Sequence, residues 1–347
     1  MEPPNRKPYP SDLTDEQWKI LEPLVPAPKL GPQPVKHTRR EILNAIFYVN
    51  RSGCQWRMLP HDLPTWQLVY TYFRRWKRDG TWQRINDALR GEVRQRQGHT
   101  SEPTAGVIDS QSAKTTEMGG PRGYDAGKQV MGRKRHLLVD VLGLVLAVLV
   151  LPANIQDRDG GWKVLDAAHQ VYSSLAKVWA DAAYAGEFVR RARDELHIDV
   201  EVVKKPPDTH TFRVLPRRWV VERTFGWMNR ERRLSKDYER LPATTEAFVH
   251  ITMVRLMARR LARRHSPPLV IVPIGPAMPK PTLLLPAVRA LPTLPPARPP
   301  LPALPPAGLE DNNARSRCQT GSERCLRRRR RRQKGRAGEQ RLPSPLS

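Results

Sequence analysis

Three acidic residues stand apart from the other carboxylates by the local patterns around them. Asp109 closes a short β-prone run, Ala105-Gly106-Val107-Ile108-Asp109, and Asp181 closes another, Leu175-Ala176-Lys177-Val178-Trp179-Ala180-Asp181. Glu222 lies inside a helical segment, Arg217-Arg218-Trp219-Val220-Val221-Glu222-Arg223. Two strand-end aspartates and one helix glutamate can converge on a pair of divalent cations. One ion then activates an attacking oxygen and the other stabilises the leaving oxygen of a phosphodiester. Hard oxygen donors of this kind suit Mg²⁺, with Mn²⁺ as a substitute. Three carboxylates packed together raise one another's pKa unless a cation relieves the repulsion, so a set of this kind points to metal. A single strand-end aspartate is more often a turn residue. Asp140, before a hairpin turn, and Asp157 and Asp159, at a helix start, are read that way. Ser110 and Ser112 have no recognisable base beside them, so they are expected to tether the strand end or a bound water. His136 reads as a structural strand histidine.

Elements able to position the three carboxylates can be read from periodicity and caps. Residues 1–90 read as helices. Thr14-Asp15-Glu16-Gln17 and Thr38-Arg39-Arg40-Glu41 fit the capping box, and Ile42, Leu43, Ile46, Phe47 and Val49 follow at helical spacing. A further helix starts near Thr65, with Trp66, Val69, Tyr70, Phe73 and Trp76 as its apolar stripe and Arg74, Arg75, Lys77 and Arg78 in its last turn. Thr81 opens a shorter one. Short capped helices with a basic end suggest a helix-turn-helix-like DNA-binding domain, with those four cations as candidate contacts. Cations at a helix carboxyl terminus also complement its dipole without any ligand.

Residues 91–103 are polar and read as a linker. From residue 104 to 265 the pattern is βββαβαβα, with a hairpin whose strands, Arg135 to Val141 and Leu144 to Leu151, flank the Leu142-Gly143 turn. Helices are expected over 157–171, 185–197, around Glu222 and over 244–264, and strands ending at Asp181 and over 198–203. Only 41 positions separate Asp181 from Glu222, which leaves no room for a large inserted domain. Arg133, Lys134 and Arg135 sit in a basic stretch that reads as a loop contacting a phosphate backbone, or as a solvated charge run. Arg218, one turn before Glu222, is placed to contact a DNA phosphate or to orient the carboxylate; a simple helix ion pair is the bland alternative. Residues 266–347 hold seventeen of the 35 prolines and the Arg327–Arg332 run, and are expected to have no fold. A basic arm that adds nonspecific DNA affinity is the other reading of this tail.

Four tracts in order are similar to successive blocks of the insertion-sequence 5 family of bacterial DDE transposases. They are Ile108-Asp109-Ser110-Gln111-Ser112, Gly132-Arg133-Lys134-Arg135-His136-Leu137-Leu138-Val139-Asp140, Ala180-Asp181-Ala182-Ala183-Tyr184-Ala185-Gly186 and Arg218-Trp219-Val220-Val221-Glu222-Arg223-Thr224-Phe225. Gly53-Cys54-Gln55-Trp56-Arg57-Met58-Leu59-Pro60 and Phe73-Arg74-Arg75-Trp76 resemble that family too. The resemblance spans roughly residues 9 to 264. It implies an α/β, ribonuclease-H-like mixed-sheet core behind an all-helical domain, and Asp109, Asp181 and Glu222 as catalytic metal ligands. It also implies Mg²⁺-dependent cleavage and strand transfer on double-stranded DNA, at terminal inverted repeats and target, by a homodimer or larger assembly. A broader relative carries a Tyr-Arg-Glu-Lys signature around its glutamate; here Arg218 and Glu222 match it, while Leu215 and Asn229 stand at the Tyr and Lys positions. The alternatives are a non-catalytic, transposase-derived DNA-binding protein and a structure-specific nuclease.

Composition agrees with a polyanionic partner. The net charge is +26, of which +11 lies in residues 266–347, so the body keeps a strong basic bias without its tail. The three cysteines have neither disulfide nor zinc spacing, which suggests a reducing compartment. The most apolar run, Val141 to Ala153, is 13 residues, short of the ~20 that span a bilayer. The expectation is a soluble, cytoplasmic protein associated with the chromosome.

Overall fold

Helix caps and strand alternation decide the architecture. The computed structural model describes residues 6–27, 37–203 and 217–263; Leu215 and the proline-rich tail lie outside them. Thr14 and Thr38 cap α1 (Asp15–Leu21) and α2 (Arg39–Ser52), each hydroxyl accepting from the backbone N–H three residues on, as the capping boxes require. Next come α3 (Trp66–Arg78) and α4 (Thr81–Arg96). Val69, Phe73 and Trp76 form the buried stripe of α3.

Six strands follow: β1 (Ala105–Lys114), β2 (Gly123–Asp125), β3 (Val130–Asp140), β4 (Val145–Pro152), β5 (Lys177–Ala180) and β6 (Asp199–Val202). β1, β3 and β4 pair antiparallel in the order β4-β3-β1, and β5 then β6 add in parallel on the far side of β1. Helices α5 (Asp157–His169), α6 (Glu187–Leu196) and α7 (Trp219–Met228) complete the βββαβαβα order, with the short β2 as an extra ribbon on the end of β3 and α8 (Pro242–Ala262) following. This is the ribonuclease-H-like mixed sheet. Gly143, at φ 81, makes the β3–β4 turn, where Asp140 accepts from the Leu142 and Leu144 N–H groups.

Period-two alternation sends side chains of β1 and β3 to two different cores. Val107, Leu137 and Val139 face a cluster with α7, α8 and the amino-terminal helices, whereas Ile108 and Leu138 face α5 and α6. The 21-residue α8, about 30 Å long, packs against α1, α2, α3 and α4 on one side and β4 on the other. The amino-terminal helices therefore share one core with the sheet, and both lie in one compact unit.

Two expectations change here. The polar stretch at 91–103 is not a free linker: its first part completes α4, and the side chain of Arg94 donates to the Thr100 and Glu102 carbonyls and to Asp140. Its polarity serves an internal anchor. β1 does not end at Asp109 but continues to Lys114, because Ser110 to Lys114 go on pairing with Gly132 to His136 of β3. Among the described residues, no helix is long and apolar enough to cross a membrane.

Candidate active site

Parallel pairing of β1 with β5 brings the two aspartates together. Val107 lies opposite Trp179, and two residues further along each strand stand Asp109 and Asp181. Neighbouring strands are ~4.8 Å apart, so the carboxylates occupy adjacent positions where the parallel pair ends. Asp109 shares the parity of Val107 and faces the α7 side. Burial pushes its carboxyl up to about 6; the Ser110 N–H, 2.6 Å from Oδ1, pulls the other way, and the charge of Asp181 adds to the rise. Asp181 caps the 3₁₀ turn Ala182–Tyr184, its Oδ1 accepting from the Ala183 N–H at 2.9 Å.

Glu222 lies in the first turn of α7, which packs on β1 and β3. Arg218 donates to Glu222 Oε1 at 2.7 Å across one helical turn, and the same guanidinium is near enough to Asp109 to favour its charged form. The structure thus joins Asp109 to Asp181 and leaves Glu222 engaged with Arg218. Among the described residues, no group of three His, Cys, Asp or Glu side chains is assembled to hold a metal ion.

A polar layer lies behind Asp109 on the α5 side. Ser110 Oγ donates to Asp157 at 2.7 Å, Lys134 Nζ lies 3.0 Å from the same carboxylate, and Ser112 donates to Asp125. Ser110 is therefore a tether, as expected, and Asp157 is more than a helix-start residue. Lys128 reaches the Ser110 carbonyl and lies near Asp109. His136 is fully buried with no partner on either ring nitrogen among the described residues, and burial lowers it to about 4.

Tyr184 is 1% exposed, and its hydroxyl lies beside the Ser110 side chain without a well-formed hydrogen bond among the described residues. Burial raises that hydroxyl well above its usual range, and the charges of Asp109, Asp157 and Asp181 around it add to the effect. Gly160 and Gly161 allow α5 this close, since a Cβ on either would lie 2.2 Å from His136 Nε2 or 2.4 Å from Tyr184 Cε1. Asp109 and Asp181 are hard oxygen donors of the kind a divalent cation takes, whereas Asp157 is already held by Ser110 and Lys134. Tyr184 could have been picked out from its spacing: three residues beyond Asp181, one 3₁₀ turn returns it to the same side.

The basic candidates divide sharply. Arg133 and Arg135 are 0% and 1% exposed, so neither belongs to a backbone-contacting loop. Arg133 donates to the Pro121, Glu239 and Arg240 carbonyls and to Asp237; Arg135 donates to the Leu234 and Lys236 carbonyls. Lys134 is buried between Asp125 and Asp157. These three lock β3 to the segment after α7 and to the polar layer, and none is free for DNA. At the end of α3, Arg74 and Arg78 are exposed and Arg75 is half-buried, while Lys77 donates to Thr244 Oγ1.

The fold and the carboxylate pair describe a DDE-type nucleic-acid enzyme core, and the family matches agree. Residues 13–86 match a family model described as "Putative transposase of IS4/5 family", and residues 100–257 match one described as "Transposase DDE domain". Over these two stretches the chain is similar to transposases of the IS4/5 type and to their DDE domain. It is 30% identical over 139 residues to a Burkholderia cepacia protein described as "Putative transposase for insertion sequence element IS402", covering 38% of this chain and 64% of that one. It is 31% identical over 88 residues to the "Insertion element IS402 uncharacterized 16.2 kDa protein" of the same organism, covering 24% of this chain and 60% of that one. The chain thus spans less than two thirds of the length of either relative. A solved Mos1 mariner paired-end complex with Mn is similar at 12% identity and a TM-score of 0.24, over 71% of this chain and 84% of that one, a likeness too slight to inform the site.

Proposed function

We propose that the chain is a polynucleotidyl transferase that cleaves DNA at the terminal inverted repeats of its own insertion sequence and transfers the freed end to target DNA. The observation that carries this reading is the side-by-side Asp109 and Asp181 at the end of the β1–β5 pair, with the Asp109 carboxyl raised to about 6. A buried carboxyl with a second carboxylate beside it favours a divalent cation, Mg²⁺ or Mn²⁺, which would supply Lewis acidity to the attacking and leaving oxygens. Asp109 and Asp181 would hold it, and Glu222 would join them on release from Arg218. Ser110, tied to Asp157, fixes the strand that carries Asp109. Arg218, once freed, can turn to a phosphate oxygen.

In the first step a water oxygen bonds to phosphorus as the P–O3′ bond breaks, leaving a 3′-hydroxyl and a 5′-phosphate. That 3′-oxygen next attacks a target phosphorus, displacing the target's own 3′-oxygen. Each step exchanges one phosphodiester bond, with no nucleotide hydrolysis and no covalent enzyme intermediate. The partners on this reading are double-stranded terminal-repeat and target DNA on the chromosome, bound by two or more copies of the chain.

Asp109→Asn, Asp181→Asn and Glu222→Gln should each abolish Mg²⁺-dependent cleavage of terminal-repeat DNA while leaving its binding intact. Undiminished cleavage by any one variant removes that residue from the ligand set. The engagement of Glu222 with Arg218 favours a second reading, a DNA-binding protein without catalysis. Specific binding with no nicking in either Mg²⁺ or Mn²⁺ would select it.

A further inference from the structure

A wide groove on the described core lies away from the carboxylates. It encloses about 890 Å³ between the basic end of α3 and the stretch Tyr238 to Thr244 that leads into α8. Arg74, Arg78 and Arg240 are exposed on its walls, Tyr70 and Tyr238 are half-buried in it, and Met118 stands 65% exposed at its rim. Among the described residues, no carboxylate lies within ion-pairing distance of these three arginines. The groove's own acid, Glu239, is paired with Arg233 at 2.6 Å. Three arginines without a counter-charge facing one groove call for an anionic occupant.

The shape and lining of the groove favour one strand over a duplex. A recognition helix is 10–12 Å across and must stand clear of its own protein to fill a major groove ~12 Å wide. The basic end of α3 instead faces a wall supplied by the segment before α8. Aromatic faces alternating with cations are what an unpaired strand uses, bases against rings and phosphates on arginines. We propose that this groove is a track for a single unpaired DNA strand, with phosphates on Arg74, Arg78 and Arg240 and a base against Tyr238, while the Tyr70 ring backs the Arg74 guanidinium. The assignment rests on the reading of the chain as a protein that acts on DNA, and adds to it a strand state and a location built from both halves of the fold.

Binding of a fluorescent oligothymidylate to the full chain, followed by anisotropy in EDTA across a salt series, tests this without any catalysis. Arg74→Gln with Arg240→Gln should weaken binding and flatten the log–log salt slope by roughly 1.4, since each phosphate no longer neutralised on a single strand accounts for about 0.7. Tyr238→Ala should weaken binding roughly tenfold with the slope unchanged, as loss of one stacked base requires. Thr71→Glu, at an exposed site on the α3 wall, should also weaken it and gives an independent route should an arginine variant fold poorly. Thermal melts matching the parent confirm each variant's fold. Oligothymidylate affinity unchanged in these variants overturns the proposal. So does an equal loss for duplex of the same length, which would make the groove a duplex contact. Absence of Mg²⁺-dependent cleavage by the parent chain would sink the transferase reading and leave this result standing.

Discussion

Replacing Tyr184 with Phe should stabilise the metal-free protein. The ring fills a defined place, edge-on to Phe188 at 5.2 Å and close against Gly161, and Phe preserves both neighbours. Only the hydroxyl is removed, and it is buried beside Ser110 with no well-formed hydrogen bond among the described residues. Leaving such a group unsatisfied costs about 1–3 kcal/mol, set against little change in packing, so a gain of about 1 kcal/mol is expected. For a fold of this size that is a rise of roughly 2–4 °C in Tm. Differential scanning calorimetry in EDTA measures it directly, with Phe188→Leu as a packing control that should lower Tm. A fall in Tm for Tyr184→Phe would show that the hydroxyl donates to a neighbour, Ser110 being the nearest candidate, and the orphan assignment would be wrong.

Two further outcomes follow from buried ionisable groups. His136 and His250 are lowered to about 4 by burial, against ~6.5 in an unfolded chain, so between these values the unfolded state takes up protons that the fold refuses. Stability should therefore fall as pH drops from about 6.5 toward 4, by on the order of 3 kcal/mol per histidine. Asp109 acts in the opposite sense, since its folded value of about 6 lies above the unfolded one and protonation in this window favours the fold. Urea midpoints at pH 7 and pH 5 should show a net loss, shallower in His136→Met and steeper in Asp109→Asn; no loss at pH 5 refutes the assignment. Arg94→Met should cost about 3–5 kcal/mol in urea unfolding, because it removes the only cation paired with Oδ2 of Asp140 among the described residues, and that carboxylate is 0% exposed and 2.8 Å from the guanidinium. A change below about 1 kcal/mol would mean that water reaches Asp140.

How much of the fold and site is visible in the chain depends on how local each signal is. The two threonine caps, the Leu142-Gly143 turn and the Asp109–Asp181 pairing are legible, because each follows from neighbours in sequence or from alternation on one strand. The full extent of β1 is not. Its polar half, Ser110-Gln111-Ser112, looks like loop until β3 is laid beside it and α5 supplies a partner for Ser110. The 91–103 stretch misleads for a related reason: its polarity is the signature of Arg94 reaching carbonyls six and eight residues on as well as a buried aspartate. The basic run at Arg133 to Arg135 departs furthest from expectation. Its alternation sends the two arginines to one face and Lys134 to the other, and the acceptors that bury them lie about a hundred residues downstream.

The burial of these arginines changes what the net charge means. An arginine satisfied by main-chain carbonyls keeps its positive charge, so Arg133 and Arg135 still contribute to the field that draws a polyanion toward the protein. They cannot contribute to contact, because no phosphate reaches them. The number of counterions released on binding counts only phosphates touched, whereas the rate of encounter responds to the whole distribution of charge. Overall basicity is thus a guide to how fast this protein finds nucleic acid, and a poor guide to where it holds it. The holding surface has to be sought among arginines that lack a partner, and among the described residues the α3 wall and Arg240 gather such arginines around one groove.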